Sequence, residues 1–142
     1  MSRIFWDSNI FIYLLEDYGA DSERVAAMRR RMLERGDQLI TSTLTLGEVT
    51  VKARRAGNLE LSKRYEDAIL AAALVIPFDV RAAKIFSEVR SDVTRRVHPA
   101  DAIQLACAAI AATDLFVTND QNLHSVRVLG IQFITSVERA PI

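Results

Sequence analysis

The sequence has a single cysteine, no excess of either charge and no long apolar run, and each shortage removes a class of protein. Cys107 has no partner for an internal disulfide. In its alanine-rich surroundings it reads as a small core side chain rather than a nucleophile, and a reducing cytosol suits it. Lys and Arg number 18 against 18 Asp and Glu, so no net positive field draws in a nucleic acid over long range. Apolar runs reach only nine and eight residues, 68–76 and 105–112, well below the ~20 needed to span a bilayer, and the first residues lack a signal peptide's layout. A cytoplasmic protein with no membrane partner is expected. Several active-site signatures are missing as well: no Gly-x-x-x-x-Gly-Lys phosphate loop, no Gly-x-Gly-x-x-Gly after the first strand, and no Gly-x-Ser-x-Gly elbow. Without repeats, low-complexity tracts or linkers, residues 1–142 are expected to form one domain.

What is present is an ordinary globular balance, half hydrophobic and a quarter charged, in a chain long enough to bury roughly two-thirds of the surface it exposes when unfolded. Arg3-Ile4-Phe5-Trp6 is β-prone, and Asp7-Ser8-Asn9 supplies capping side chains for a helix from Ile10 to Leu15. A second helix is expected from Asp21 to Arg35, with Val25, Met28, Met32 and Leu33 at helical spacing and Gly36 as its stop. Strands are expected at Gln38–Thr41, Leu74–Ile76, Leu115–Thr118 and around Gln132–Ile134. Further helices are expected at Thr43–Ala56, Leu59–Ala73, Val80–Val89 and from Pro99 through Ala112. This alternation predicts an α/β fold whose central, mainly parallel sheet of four to five strands is flanked by helices on both faces.

In such sheets the binding crevice lies beyond the carboxyl ends of the strands, which directs attention to polar residues there. Asp7 follows the first strand directly, although an isolated Asp-Ser-Asn is explained as readily by helix capping. Glu48 shares a helical line with Leu44 and Val51. It is either a carboxylate on an inward stripe in need of a partner, or an edge residue with its head in solvent, and the helix alone does not choose. Asp101, in the first turn of a small and apolar helix, complements the helix dipole and is expected to face the crevice. Asp120 ends Leu115-Phe116-Val117-Thr118-Asn119-Asp120, where Asn-Asp is also ordinary turn chemistry. Taken together, three acids at strand ends or a helix start and one on a helical face fit a single crevice. Gathered without a cation they would repel one another and hold protons more tightly. A hard divalent ion, Mg²⁺ or Mn²⁺, resolves that conflict. Zinc does not suit the sequence, because there is no second cysteine and His98 and His124 lack ligand spacing. A cation activating water for attack on a phosphodiester is the chemistry left by elimination.

The same residues carry a family resemblance: a strand followed by Asp-Ser-Asn, Glu48 in the third helix, Pro-Ala-Asp-Ala-Ile-Gln-Leu-Ala before a strand, then Val-Thr-Asn-Asp. The chain resembles PIN-domain nucleases, specifically the short VapC-type toxins of prokaryotic toxin–antitoxin pairs, over nearly its full length. That resemblance implies an endoribonuclease using Mg²⁺ or Mn²⁺, forming a homodimer, and held inactive by a cognate antitoxin. It maps the catalytic, metal-holding acids onto Asp7, Glu48, Asp101 and Asp120, and accessory polar residues onto Ser8 or Asn9 and Thr118. One departure stands out: many relatives have an acid two residues beyond the last of these, where this chain has Asn122. Lys52, Arg95 and Arg96 are candidates for contacts to the RNA backbone. Three other readings compete: a non-catalytic interaction module with the same fold, a PIN nuclease outside any toxin–antitoxin pair, and an aspartyl phosphatase. The last needs a second acid at position 9, which is Asn9.

Overall fold

The computed structural model describes residues 1–142 throughout. Arg3–Trp6 (β1), Gln38–Ser42 (β2), Leu74–Ile76 (β3), Thr113–Val117 (β4) and Ile131–Thr135 (β5) make one sheet in the order β3-β2-β1-β4-β5, every pairing parallel. Between them run Ser8–Leu15 (α1), Ala20–Arg35 (α2), Thr43–Arg55 (α3), Leu59–Ala72 (α4), Val80–Ser91 (α5) and Pro99–Ile110 (α6). The mainly parallel α/β expectation holds, with five strands. No helix is long and apolar enough to cross a membrane.

Side chains alternate across a strand, so β1 feeds two cores. Ile4 and Trp6 join Leu39, Leu115 and Val117 on the face packed with Ile10 and Phe11 of α1, Val25, Met28 and Met32 of α2, Val49 of α3 and Ile69 of α4. Phe5, Ile40 and Phe116 face the opposite way, against Ala82 of α5 and the small side chains of α6, including the buried Cys107. In register across β1 and β4, Phe5 and Phe116 stack with ring centroids 5.0 Å apart. The central strands β1, β2 and β4 are covered on both faces and read as largely apolar runs, whereas the edge strand β5 leaves Phe133 63% exposed.

The chain steps outward from β1 through β2 to β3 on one side, then recrosses the sheet through α5 and α6 on the other face to start β4 beside β1. A right-handed crossover places its helices on the opposite face when the direction of winding reverses. The reversal point is the gap between β1 and β4. The last crossover, residues 118–130, has no α-helix and only a 3-10 turn at Gln121–Leu123, which the sequence pattern did not foretell. Gly130 closes it at φ +101°, where an added Cβ would lie 2.8 Å from the Ala109 carbonyl oxygen.

Two expectations need correction. Leu33 is 62% exposed while Val25, Met28 and Met32 are buried; one residue past Met32 is a turn of about 100° around the helix, which carries it off the buried stripe. Helix α6 ends at Ile110 rather than Ala112, because Ala112 adopts φ 54° and turns the chain into β4.

Candidate active site

Asp7 and Asp120 follow the adjacent strands β1 and β4 at the point where the winding reverses, and the first turn of α6 and the middle of α3 face the same opening. All four predicted acids, Asp7, Glu48, Asp101 and Asp120, line one cavity of about 310 Å³, together with Ser8, Asn9 and Gln104. This is the place where a doubly wound sheet leaves its crevice.

Asp7 is both a cap and a crevice residue. It is 5% exposed; its Oδ1 accepts from the Ser8 N–H at 2.8 Å and its Oδ2 from Thr118 Oγ1 at 2.7 Å. Burial pushes its carboxyl above the usual range, opposed by the bonds from Thr118 and Ser8, while the nearby Glu48 charge adds to the rise. Thr118 Oγ1 also accepts from the Asp120 N–H at 3.1 Å, tying the two strand ends together. Asp120 itself caps the 3-10 turn, its Oδ1 accepting from the Asn122 N–H at 3.0 Å. Asn122 is exposed and thus serves the turn through its backbone.

Glu48 is exposed, which decides between its two readings in favour of the rim. The buried face of α3 is Thr45, Val49, Thr50 and Ala53, and Val51, expected on the inward line, is 41% exposed. The apolar line through Leu44 and Val51 misplaced the stripe because buried threonines, not leucines, fill part of it. Glu48 is nevertheless fixed, since Ser8 Oγ donates to its Oε1 at 2.6 Å.

Beneath the acids lies a residue to which the sequence reading gave no role. Gln104, one helical turn after Asp101, is 1% exposed. Its Nε2 donates to Thr45 Oγ1 at 2.8 Å and Ser8 Oγ at 3.0 Å and lies 3.4 Å from Asp7 Oδ1, while its Oε1 accepts from Ser42 Oγ. Thr41 Oγ1, 2.8 Å from Thr45 Oγ1, donates to the Trp6 carbonyl at 2.9 Å. One buried amide thus joins β2, α3, α6 and the Asp7 turn. The signal for it in the sequence was an uncharged polar residue, one turn after Asp101, inside an otherwise small, apolar helix.

Asp101, half-buried, has its carboxyl pushed up to about 6, first by burial and then by the charges of Asp7 and Asp120, with His98 pulling it down and Glu48 pushing it up. The acids therefore repel one another across the cavity. As they stand, no three His, Cys, Asp or Glu side chains close into a metal-binding group. The donor chemistry nonetheless fits a hard cation: oxygen ligands only, with a mutual repulsion that a positive ion relieves. Of the cationic candidates, Lys52 lies 3.6 Å from Glu16 and lines another depression. Arg95 bonds Ser125 Oγ at 2.5 Å and, like the exposed Arg96, does not line the acid cavity.

Comparison with solved structures shows the same fold at low sequence identity. The VapBC2 complex of Rickettsia felis bound to a DNA fragment from its promoter matches with TM-score 0.75 and 14% identity, covering 94% of this chain and 98% of that one. DNA-bound VapBC from Salmonella typhimurium matches with TM-score 0.73 and 20% identity over 96% and 99%. VapBC-5 from Mycobacterium tuberculosis, a member of the VapBC family of toxin–antitoxin systems, matches with TM-score 0.63 and 15% identity over 96% and 99%. No curated protein matches the sequence. The sequence model described as the PIN domain, however, matches residues 4–129, a span that runs from β1 through the 3-10 turn and contains all four acids. On that match the chain belongs to the PIN domain family.

Proposed function

We propose that the chain is a metal-dependent endoribonuclease that hydrolyses RNA phosphodiester bonds and acts as the toxin of a type II toxin–antitoxin pair. One observation carries the reading: four carboxylates delivered by four separate segments line a single cavity at the reversal point of the sheet. Membership in a family whose members are generally nucleases supports it. Asp7 and Asp101, with Glu48 or Asp120, would hold Mg²⁺ or Mn²⁺. When bound, such an ion supplies an activated water at neutral pH and offsets charge on the phosphate.

The chain's own residues do the positioning. Thr118 and the Ser8 N–H hold the two oxygens of Asp7, so that its carboxylate is set before any ligand arrives. Ser8 Oγ donates its hydrogen bond to Glu48 and itself accepts one from Gln104 below. That arrangement makes Ser8 a support for Glu48 and leaves attack on phosphorus to water. Asn9 steadies the loop carrying Asp120 by accepting from the Asn119 N–H at 3.4 Å.

The similar solved structures are VapBC complexes, one of them described as a toxin–antitoxin system, and we extend that partnership here: a homodimer in the cytoplasm, restrained by a cognate antitoxin. The test is cleavage of RNA by the purified chain with Mn²⁺ and after chelation, alongside Asp101→Asn. Metal-dependent cleavage that the variant lacks, with unchanged folding, is expected. Full activity in either control would overturn the reading, and a small antitoxin-like reading frame immediately upstream would separate a toxin from a PIN nuclease working alone.

A further inference from the structure

A cavity of about 480 Å³, larger than the one holding the acids, lies on the far side of the loop that follows β4. Neighbouring residues divide between the two cavities. Asp120 lines the acid cavity while Asn119 and Gln121 line the other, and on α1 Ile12 lines the first and Tyr13 the second. Asn119 Nδ2 donates to the Tyr13 hydroxyl at 2.6 Å, so a hydrogen-bonded pair of side chains forms the wall of the second cavity next to the residues that line the first. Because residues adjacent in the chain line the two cavities, a strand held by one phosphate at the carboxylates has the second cavity as its neighbour across the 119–121 loop.

The lining there suits a nucleotide. His124 Nε2 lies 3.1 Å from the Thr118 carbonyl oxygen; a carbonyl can only accept, so Nε2 carries the hydrogen and Nδ1 of the neutral ring is an acceptor. The Tyr13 hydroxyl accepts from Asn119 and keeps its own proton to give, and Gln121 adds an amide with both donor and acceptor atoms. Such groups match the edges of an unstacked base. Arg24 is engaged by Asp21 at 3.2 Å and Glu138 at 3.5 Å, whereas Arg139 takes part in no ion pair and offers its charge to a backbone phosphate. Only three of the eleven lining residues are hydrophobic, too few for the apolar anchor that a protein partner would seat in a pocket.

We propose that this cavity is a nucleotide subsite, receiving the single-stranded residue next to the phosphate bound at the carboxylates. It rests on the ribonuclease reading and extends it from the reacting phosphate to substrate selection. The experiment uses the native protein with Ca²⁺ in place of Mn²⁺, an oxygen-seeking divalent ion that leaves all four carboxylates in place, and a short, fluorescein-labelled single-stranded RNA of random sequence, checked to be intact on a gel and read by anisotropy over a range of salt. The same protein carrying Gln121→Ala and Arg139→Ala, both at exposed positions, is compared after its melting temperature is shown to match.

The double change is expected to weaken RNA binding about tenfold or more. It is also expected to make the slope of log affinity against log salt shallower by about 0.7, the signature of one lost phosphate contact on a single strand. Affinity within about twofold of the parent, with the slope unmoved, overturns the subsite while leaving the ribonuclease reading intact. Weakened capture of the antitoxin at unchanged RNA affinity assigns the cavity to a protein and overturns it too. If the native chain neither binds nor cleaves RNA, both proposals fall together.

Discussion

Replacing Asp101 by Asn should stabilise the metal-free protein, an unusual expectation for a residue assigned to an active site. The folded chain holds the Asp101 proton with a pKa of about 6 against an ordinary 3.8. Ionising it therefore costs more in the folded than in the unfolded state. As pH rises through this window the unfolded chain gives up a proton that the folded chain retains, and above about 6 the folded state bears the whole penalty. At about 1.4 kcal/mol for each tenfold change in acid strength the ceiling is about 3 kcal/mol. Solvent screening of a half-exposed group cuts this to on the order of 1–2 kcal/mol. Against it stands the favourable position of a carboxylate in the first turn of α6, worth about 0.5 kcal/mol. Repulsion and burial win, leaving on the order of 1 kcal/mol, or about 4 °C in melting temperature for a chain of this length.

Thermal unfolding in EDTA from pH 4 to pH 8 measures this. The variant should melt above the native chain at pH 7.5, and the gap should close as pH falls to about 4, where folded Asp101 is protonated. Adding Mn²⁺ should reverse the order, because the native chain gains about 2.7 kcal/mol at a hundredfold excess over its dissociation constant and the variant gains little. A variant less stable than the native chain in EDTA at pH 7.5 would refute the reasoning. It would show that Asp101 is held by favourable contacts rather than crowded by its neighbours.

Gln104→Leu keeps the approximate volume but strands Ser42, Thr45 and Ser8; a loss of about 3 kcal/mol in urea unfolding is expected, with weaker Mn²⁺ binding by calorimetry. Thr118→Val removes the donor to Asp7 Oδ2 and should cost about 1–2 kcal/mol, again with reduced Mn²⁺ affinity, whereas Thr118→Ser should restore both. Gly130→Ala forces a Cβ against the Ala109 carbonyl at a positive φ and should destabilise by about 2 kcal/mol or more in the same urea assay; a neutral result would mean that the turn after the 3-10 segment yields easily.

The fold was legible because its signals are local. Ile4, Phe5 and Trp6 form a short apolar strand, Gly36 ends α2 at φ 73°, and Pro99 opens α6 at a position where its missing N–H costs nothing. Such features depend on neighbours in sequence, and they placed every strand and α-helix to within a few residues. The same local rules misread α3, since hydrophobicity cannot reveal that Thr45 is buried. Thr45 is inside because Gln104 and Thr41 satisfy its hydroxyl, and those partners lie on other elements. Gln104 escaped notice for the same reason.

The four carboxylates were nameable from sequence, but their convergence was not. Asp7 and Asp120 are 113 residues apart in the chain (120 − 7), and either passes alone for a cap or turn residue; indeed each accepts a capping bond in the structure. What brings them together is the strand order β3-β2-β1-β4-β5, which seats β4 beside β1 and leaves the crevice between their carboxyl ends. Sequence determined which residues can bear negative charge and which segments carry them. Only the tertiary structure decided that those charges share one cavity, because the pairing of β1 with β4 depends on packing two cores on opposite faces of one sheet.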